Sequence, residues 1–219
     1  MRALTFIIVL LGFQMVLSQE MKKEKAFFLE PLFRVYGIVP ISFGDNYLAK
    51  ANDAKISAGV SMSMFEYHDF RLTAGFDHIY YDVNDVKLAG TVDHSRSNAV
   101  YGIVSYEIPV VKSLTLQPYL GGGWSEINFM RQDNIPLNSN NSSVDHQQGG
   151  HFRIGFYTDY RIDKIFSFFA GVNYVKSKYA IDTAPEFVSF FDHAQTVQVN
   201  FGIKVGYSKK EKYKEKMDN

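Results

Sequence analysis

Thr196-Val197-Gln198-Val199-Asn200-Phe201-Gly202-Ile203-Lys204-Val205-Gly206-Tyr207 is the stretch on which the fold turns. Val197, Val199, Phe201, Ile203, Val205 and Tyr207 take every second position, and Thr196, Gln198, Asn200, Gly202, Lys204 and Gly206 fill the others. Successive side chains of a strand point to opposite faces, so this two-residue period describes a strand with one apolar and one polar face.

The pattern recurs upstream. Phe152, Ile154, Phe156, Tyr160 and Ile162 oppose His151, Arg153, Gly155, Asp159 and Arg161. Phe70, Leu72, Ala74, Phe76 and Tyr80 oppose Arg71, Thr73, Gly75 and Asp77, and Ile56, Ala58, Val60, Met62 and Met64 oppose Ser57, Gly59, Ser61 and Ser63. Phe166, Phe168, Ala170, Val172 and Tyr174 form a further series, with Phe169 and Val175 out of phase, and Leu114, Leu116, Leu120 and Trp124 another. Two strands are mixed: Phe33, Val35, Gly37 and Val39 against Arg34 and Tyr36, and Val100, Val104, Tyr106 and Ile108 against Ser105 and Glu107. Their phase is left open by the pattern alone.

Eight strands are thus expected, and the connections between them alternate in length. Tight turns fall at Glu66 to Asp69, Pro109 to Ser113 and Asp163 to Ile165. Long polar connections fall at Ile41 to Ala54, Val83 to Arg96, Arg131 to Gln148 and Ile181 to His193. Short turns on one side and long loops on the other are the rhythm of an up-and-down barrel of the outer membrane. Aromatic residues gather at both strand ends: Phe65, Tyr67, Phe70, Tyr106, Tyr160 and Phe166 near the turns, and Tyr80, Tyr81, Trp124, Phe152 and Tyr174 near the loops. That is where half-wet rings are favoured at a membrane interface.

Composition bounds the rest. The chain has 219 residues, formal charge zero and no cysteine. Zero net charge argues against nucleic acid as a partner. The absence of cysteine excludes disulfide scaffolds, thiol nucleophiles and cysteine-based zinc sites. Met1-Arg2, an apolar run from Ala3 to Phe13, and Val16-Leu17-Ser18 before Gln19 read as a signal peptide cut after Ser18. No later apolar run has the ~20 residues of a spanning helix, so a membrane-crossing mature chain must be a closed barrel. The expected organisation is a signal peptide at 1–18, a polar segment at 19–26, an all-β, eight-stranded antiparallel transmembrane barrel at 27–207, and a charged tail at 208–219.

Leu116-Gln117-Pro118-Tyr119-Leu120-Gly121-Gly122-Gly123-Trp124 resembles the glycine-rich fifth strand of the OmpX/OmpA-like outer membrane β-barrel family, and the rhythm from Phe27 to Tyr207 is similar throughout. The resemblance implies a Gram-negative outer-membrane location, periplasmic termini, extracellular loops, insertion by the barrel-assembly machinery, and contact with outer-membrane lipid and lipopolysaccharide. One departure is that the chain continues past the terminal aromatic Tyr207 into a Lys-rich tail.

If lipid lies outside, the polar face fills a lumen only wide enough for side chains. The expected interior set is Arg34, Arg71, Asp77, Glu107, Gln117, Arg153, Asp159, Arg161, Gln198, Asn200 and Lys204. Opposite charges with amides between them suit a packed polar plug, because buried charge must be paired. A narrow, porin-like path for ions or small solutes is the alternative. A soluble lipocalin-type binder would turn the same faces around. Against it stand the eight-strand rhythm with its long, predominantly polar loops and runs such as Phe152-Ile154-Phe156, too bulky for a small barrel to hold inside.

Chemistry is thin. Lipid-modifying barrel enzymes use Ser, His and a carboxylate, yet Asp93, His94 and Ser95 are adjacent rather than convergent, and strand alternation puts Asp77 and His78 on opposite faces. No catalytic residue and no cofactor is expected. His94, His146, His151 and His193, with Asp93, Asp145 and Asp192, lie on or near the loops but lack close ligand spacing, so no metal site is expected either. Phe187, Val188, Phe190 and Phe191 form an apolar cluster in the last long loop, a candidate exposed contact patch for lipopolysaccharide, a neighbouring barrel or an extracellular partner.

Overall fold

The computed structural model describes residues 27–90, 92–131, 144–181 and 185–206. The expected signal peptide, the segment 19–26, Tyr207 and the tail 208–219 lie outside the described residues. Eight long strands run β1 (Phe27–Phe43), β2 (Ser57–Tyr67), β3 (Phe70–Val83), β4 (Val92–Tyr106), β5 (Leu114–Arg131), β6 (Val144–Arg161), β7 (Phe166–Ala180) and β8 (His193–Gly206). Each pairs antiparallel with the next. The last then pairs with the first, Leu32 opposite Gly206 through Phe43 opposite Gln195, so the sheet closes. Short segments Asn52–Ala54 and Ile108–Val111 extend the ladders of β3 and β5. No helix among the described residues is long and apolar enough to cross a membrane.

Closure makes two faces out of the alternation. On β7 the outward series is Phe166, Phe168, Ala170, Val172 and Tyr174, followed by Lys176 and Lys178. The outward face of β3 changes from Phe76 to His78, that of β4 from Val100 to Asn98, that of β5 from Trp124 to Glu126, and that of β8 from Val197 to Gln195. At about 3.4 Å per residue and a tilt near 40°, five alternate outward positions span roughly 20 Å, close to the ~25 Å apolar band of an outer-membrane barrel. The phase of the mixed strands is now settled. Phe33 and Val35 face out against buried Arg34 and Tyr36, and Val100 and Val104 face out against buried Ser105.

Above the band the strands continue, and their polarity turns inside out. The inward positions become Ile79 and Tyr81 on β3, Ile127 and Phe129 on β5, and Tyr179 on β7. The connection after β1 is not the plain polar loop the composition implied. Asn46 caps a single helical turn, α1 (Tyr47–Lys50), by accepting from the Ala49 N–H at 3.1 Å, and Tyr47, Leu48 and Ala51 are buried on this apolar lining. A second turn, α2 (Val86–Ala89), is capped by Asp85 and buries Ala89. Tyr81, expected at the interfacial girdle, instead points into this cluster and is 1% exposed. The strand ends also reach into the stretches read as loop, so the connections are shorter than their composition suggested.

The turn side is compact. At the β6–β7 turn the Asp163 carboxylate accepts from the backbone N–H of Ile165 at 2.7 Å and of Phe166 at 2.8 Å, which holds its pKa below the ordinary aspartate range. In β2 a register shift between Ser63 and Phe65 inserts a bulge. Met64 and Phe65 both face outward, and the phase beyond them reverses, so Glu66 turns in.

The chain has no cysteine, so single cysteines will report their surroundings. In reconstituted vesicles, Leu72→Cys, Val104→Cys and Phe156→Cys should resist a water-soluble maleimide supplied to both sides, while Asn98→Cys and Gln148→Cys should react. Equal labelling of both groups would show that the apolar face does not lie in lipid.

Candidate functional site

The lumen is built in layers, each supplied by several strands. Nearest the short turns, the Gln117 side chain on β5 is wholly buried and uses its amide on both sides. Its oxygen accepts from Arg34 Nη2 at 2.7 Å, and its Nε2 donates to Glu107 at 3.1 Å and to Asp159 at 2.8 Å. Arg71 donates through Nε to Glu107 at 2.9 Å and through Nη2 to Glu66. Lys204 reaches across from β8 to Asp159, which also lies 3.6 Å from Arg34. One neutral amide thus binds Arg34, Glu107 and Asp159 directly and sits at the centre of a network of three cations and three carboxylates.

Above it lies an aromatic layer. Tyr119 stacks on Tyr157 with centroids 4.5 Å apart, Phe169 meets Tyr157 and Tyr36 edge-on, and the Arg34 guanidinium sits 5.0 Å from the Tyr157 centroid. Arg153 then pairs with Asp77 at 2.8 Å and lies 3.6 Å from the Tyr101 ring centroid. Tyr36 donates to the other Asp77 oxygen at 2.6 Å, and its own oxygen is 2.5 Å from the Tyr101 hydroxyl. This layer needs glycine beneath it. A Cβ on Gly59 would stand 2.4 Å from the Tyr36 ring and one on Gly75 2.3 Å from Tyr101. A ladder of amides, Asn200 to Asn173 at 2.7 Å and Asn173 to Gln198 at 3.0 Å, completes the wall.

Of the expected interior residues, Arg34, Arg71, Asp77, Gln117, Arg153, Asp159, Gln198 and Asn200 are buried in the lumen, with Glu107 and Lys204 half-buried at its lower end. Arg161 is not among them. It has the inward phase but stands at the last rung of β6, where the barrel opens to solvent, and it is exposed. Two features escaped the sequence reading. Glu66 enters the network only because of the bulge, and the aromatic layer is made of inward rings that break the polar pattern. With Glu66 in and Arg161 out, the described lumen side chains carry four cations (Arg34, Arg71, Arg153, Lys204) and four acids (Glu66, Asp77, Glu107, Asp159).

At the loop end, the apolar patch divides. Phe191 stacks on Tyr47 at 5.2 Å and Phe190 meets it edge-on at 6.3 Å, so both pack onto the inner cluster through α3 (Val188–Phe191). Phe187 and Val188 remain exposed, at 52% and 37%. Burial pushes the Tyr47 phenol up from its ordinary pKa, against smaller opposing contributions from Ser95 and Asn52.

The histidines and hydroxyls read for chemistry are dispersed. Asp77 is inside while His78 faces out and meets Asn98 at 2.7 Å. His94 bonds Asp93 at 3.0 Å on the outer rim, whereas Ser95 is buried and faces the Tyr47 hydroxyl at 3.3 Å. His151 is buried in the lumen, His193 bonds its neighbour Asp192 at 2.8 Å, and His146 is exposed. The Asp145 side chain lies outside the described residues. Among the described residues no cluster of three or more metal-ligating side chains forms.

Removing one member of a buried, hydrogen-bonded ion pair strands the other and costs about 3–5 kcal/mol, while neutralising both costs much less. Arg153→Met should therefore lower the unfolding free energy in detergent or liposomes by about 3–5 kcal/mol, and Asp77→Asn combined with it should restore most of the loss. Denaturant titration measures both, and a single variant within about 1 kcal/mol of the parent would show that the pair contributes no more than an exposed one.

No family model and no curated protein matches the sequence. Solved structures do match. Neisserial surface protein A superposes with a TM-score of 0.59 at 11% identity, covering 81% of this chain and 97% of that one. A major outer membrane protein from Thermus thermophilus gives 0.51 at 12% identity, covering 82% of this chain and all of that one, 100%. At such identities the likeness carries the fold and not a ligand. In fold, the chain is a small eight-stranded outer-membrane β-barrel, the architecture of the OmpX/OmpA-like proteins that its sequence resembles.

Proposed function

We propose that the protein is a non-enzymatic component of the outer membrane whose lumen is closed at rest and whose work is done by its outward parts. It would be a structural or surface-interaction protein, its termini in the periplasm and its longer loops outside. The observation that supports this best is the charge balance of the lumen, four cations against four acids, tied by Gln117 and packed under an aromatic layer. Such a network stabilises a filled interior, since each charge finds its partner within the wall.

The dispersed His94 and Ser95, on opposite sides of β4, speak against a catalytic constellation. Partners are then expected at the surface: lipid and lipopolysaccharide around the barrel, the assembly machinery during insertion, and an extracellular molecule at the loops. A narrow channel is the second reading. It is favoured by the His151 ring nitrogens, buried lumen atoms with no direct hydrogen bond within the protein.

Two measurements on the purified barrel separate these readings. Unboiled and boiled samples should migrate differently on a detergent gel, showing a closed barrel. In planar bilayers the parent should give no discrete current steps, while Arg71→Ser with Arg153→Ser should introduce them. Reproducible steps from the parent would establish the channel instead.

A further inference from the structure

The outer surface of β5–β8 carries an arrangement that the lumen does not explain. Cross-strand register places Trp124 opposite Gly150, Gly150 opposite Lys178, and Lys178 opposite His193, in one row across four strands. The row below it reads Gly122, Phe152, Lys176, Gln195 and then Phe43 of β1. Below that come Leu120, Ile154, Tyr174, Val197 and Ile41, all apolar or aromatic. The two lysines therefore occupy the first two rungs above the lipid-facing band, where headgroup phosphates of the adjoining leaflet lie.

Both lysines are exposed, and among the described residues neither has a carboxylate within ion-pair distance. Two other lysines on this rim are paired, Lys55 with Asp82 at 3.1 Å and Lys50 with Asp45 at 3.9 Å, while exposed Arg96 lies over the Tyr80 ring. Two carboxylates flank the rows and both are engaged, Glu126 by Asn128 at 2.5 Å and Asp192 by His193 at 2.8 Å. Lys176 and Lys178 stand two residues apart on one face, roughly 7 Å along the strand, so both ammonium groups can reach a single phosphate.

Gly150 adds a recess. A side chain there would meet only the Gly123 carbonyl, at 3.8 Å, so the space between Trp124 and Lys178 is open to the outside. Trp124 is 42% exposed and forms one wall of that recess, an indole face beside a cationic pair. A flat ring stacks on the apolar face of a sugar, and lysines bind phosphate as point charges. Phe152, Tyr174 and Phe43 just below offer an apolar surface for acyl chains, with Phe43 and Tyr174 in ring contact at 6.1 Å.

We infer that Trp124, Gly150, Lys176 and Lys178 form a lateral binding site for a phosphorylated glycolipid of the leaflet at the long-loop rim. The inference deepens the surface-interaction reading and rests on the barrel lying in a membrane. It does not depend on whether the lumen conducts.

The chain has one tryptophan, and it lies in this site. The test titrates the folded barrel, in zwitterionic micelles, with diphosphorylated lipid A while following Trp124 emission. Saturable change is expected with lipid A. Lys176→Gln with Lys178→Gln should weaken it at least tenfold, and dephosphorylated lipid A should bind equally weakly. Gel mobility of boiled and unboiled samples, run on every variant, shows independently that the barrel is formed, so a failed site is distinguished from a failed membrane fold. Saturation by inorganic phosphate at the same concentrations would overturn the lipid as source. Unchanged emission, or full binding by the double variant with its barrel intact, would overturn the site.

Discussion

The seam between β1 and β8 is the contact on which the rest depends. In hydrocarbon an unpaired backbone N–H or C=O has no water to turn to, and each costs several kcal/mol, so an open edge is not an available state. Pairing Leu32–Phe43 with Gln195–Gly206 removes both edges at once. Closure with eight strands then sets the lumen to side-chain width. Once that is set, the inward face must be packed, and a polar inward face can be packed only by matching its charges.

The matching is done by placement rather than by number alone. Gln117 supplies an acceptor to Arg34 and donors to Glu107 and Asp159, so a neutral residue meets the demands of both signs. Asp77 is met by Arg153 on one oxygen and by Tyr36 on the other, while Tyr101 lies against both the guanidinium and the Tyr36 hydroxyl. Gly59 and Gly75 give these rings their room, so two inner-face residues without side chains are as necessary to the layer as its charges. The same strand obeys the opposite rule a few residues on. β5 puts Gln117 inside and Leu120 outside within the membrane, then Ile127 and Phe129 inside and Glu126 outside above it. Solvent, not sequence position, decides which face is apolar. Where the barrel leaves lipid it becomes an ordinary water-soluble β structure with an apolar core, and α1 with Phe190 and Phe191 closes that core from above.

This inversion explains what could be read from the sequence. Within the membrane the alternation is long and consistent, so the eight strands, their order and most of the interior residues are legible from period alone. Above it the apolar residues change phase relative to the band, and the pattern reads as loop. Tyr47 and Leu48 sit in a segment whose polar neighbours mask a buried turn. Glu66 is hidden for a different reason: a single extra residue reverses the phase, and no composition cue marks a bulge between Ser63 and Phe65. Arg161 misleads in the converse way, since period gives a direction and not the height at which the barrel ends. Inward rings such as Tyr119 and Tyr157 look like errors in a polar face until they are seen stacked on each other, with the Arg34 guanidinium over the Tyr157 ring.

The outer surface follows the same logic as the lumen, with an opposite result. Inside, Arg34, Arg71 and Arg153 are almost wholly buried, and each lies within ion-pair distance of an acid. At the rim above the band, Lys176 and Lys178 stand in a headgroup layer that can itself bring the counter-charge. An ammonium there loses little by lacking a protein partner, and β7 must pass that level in any case to place Tyr179 in the apolar cluster above. The unpaired cations outside and the paired ones inside are therefore two answers to one requirement, that each charge meet its opposite in the medium it actually faces.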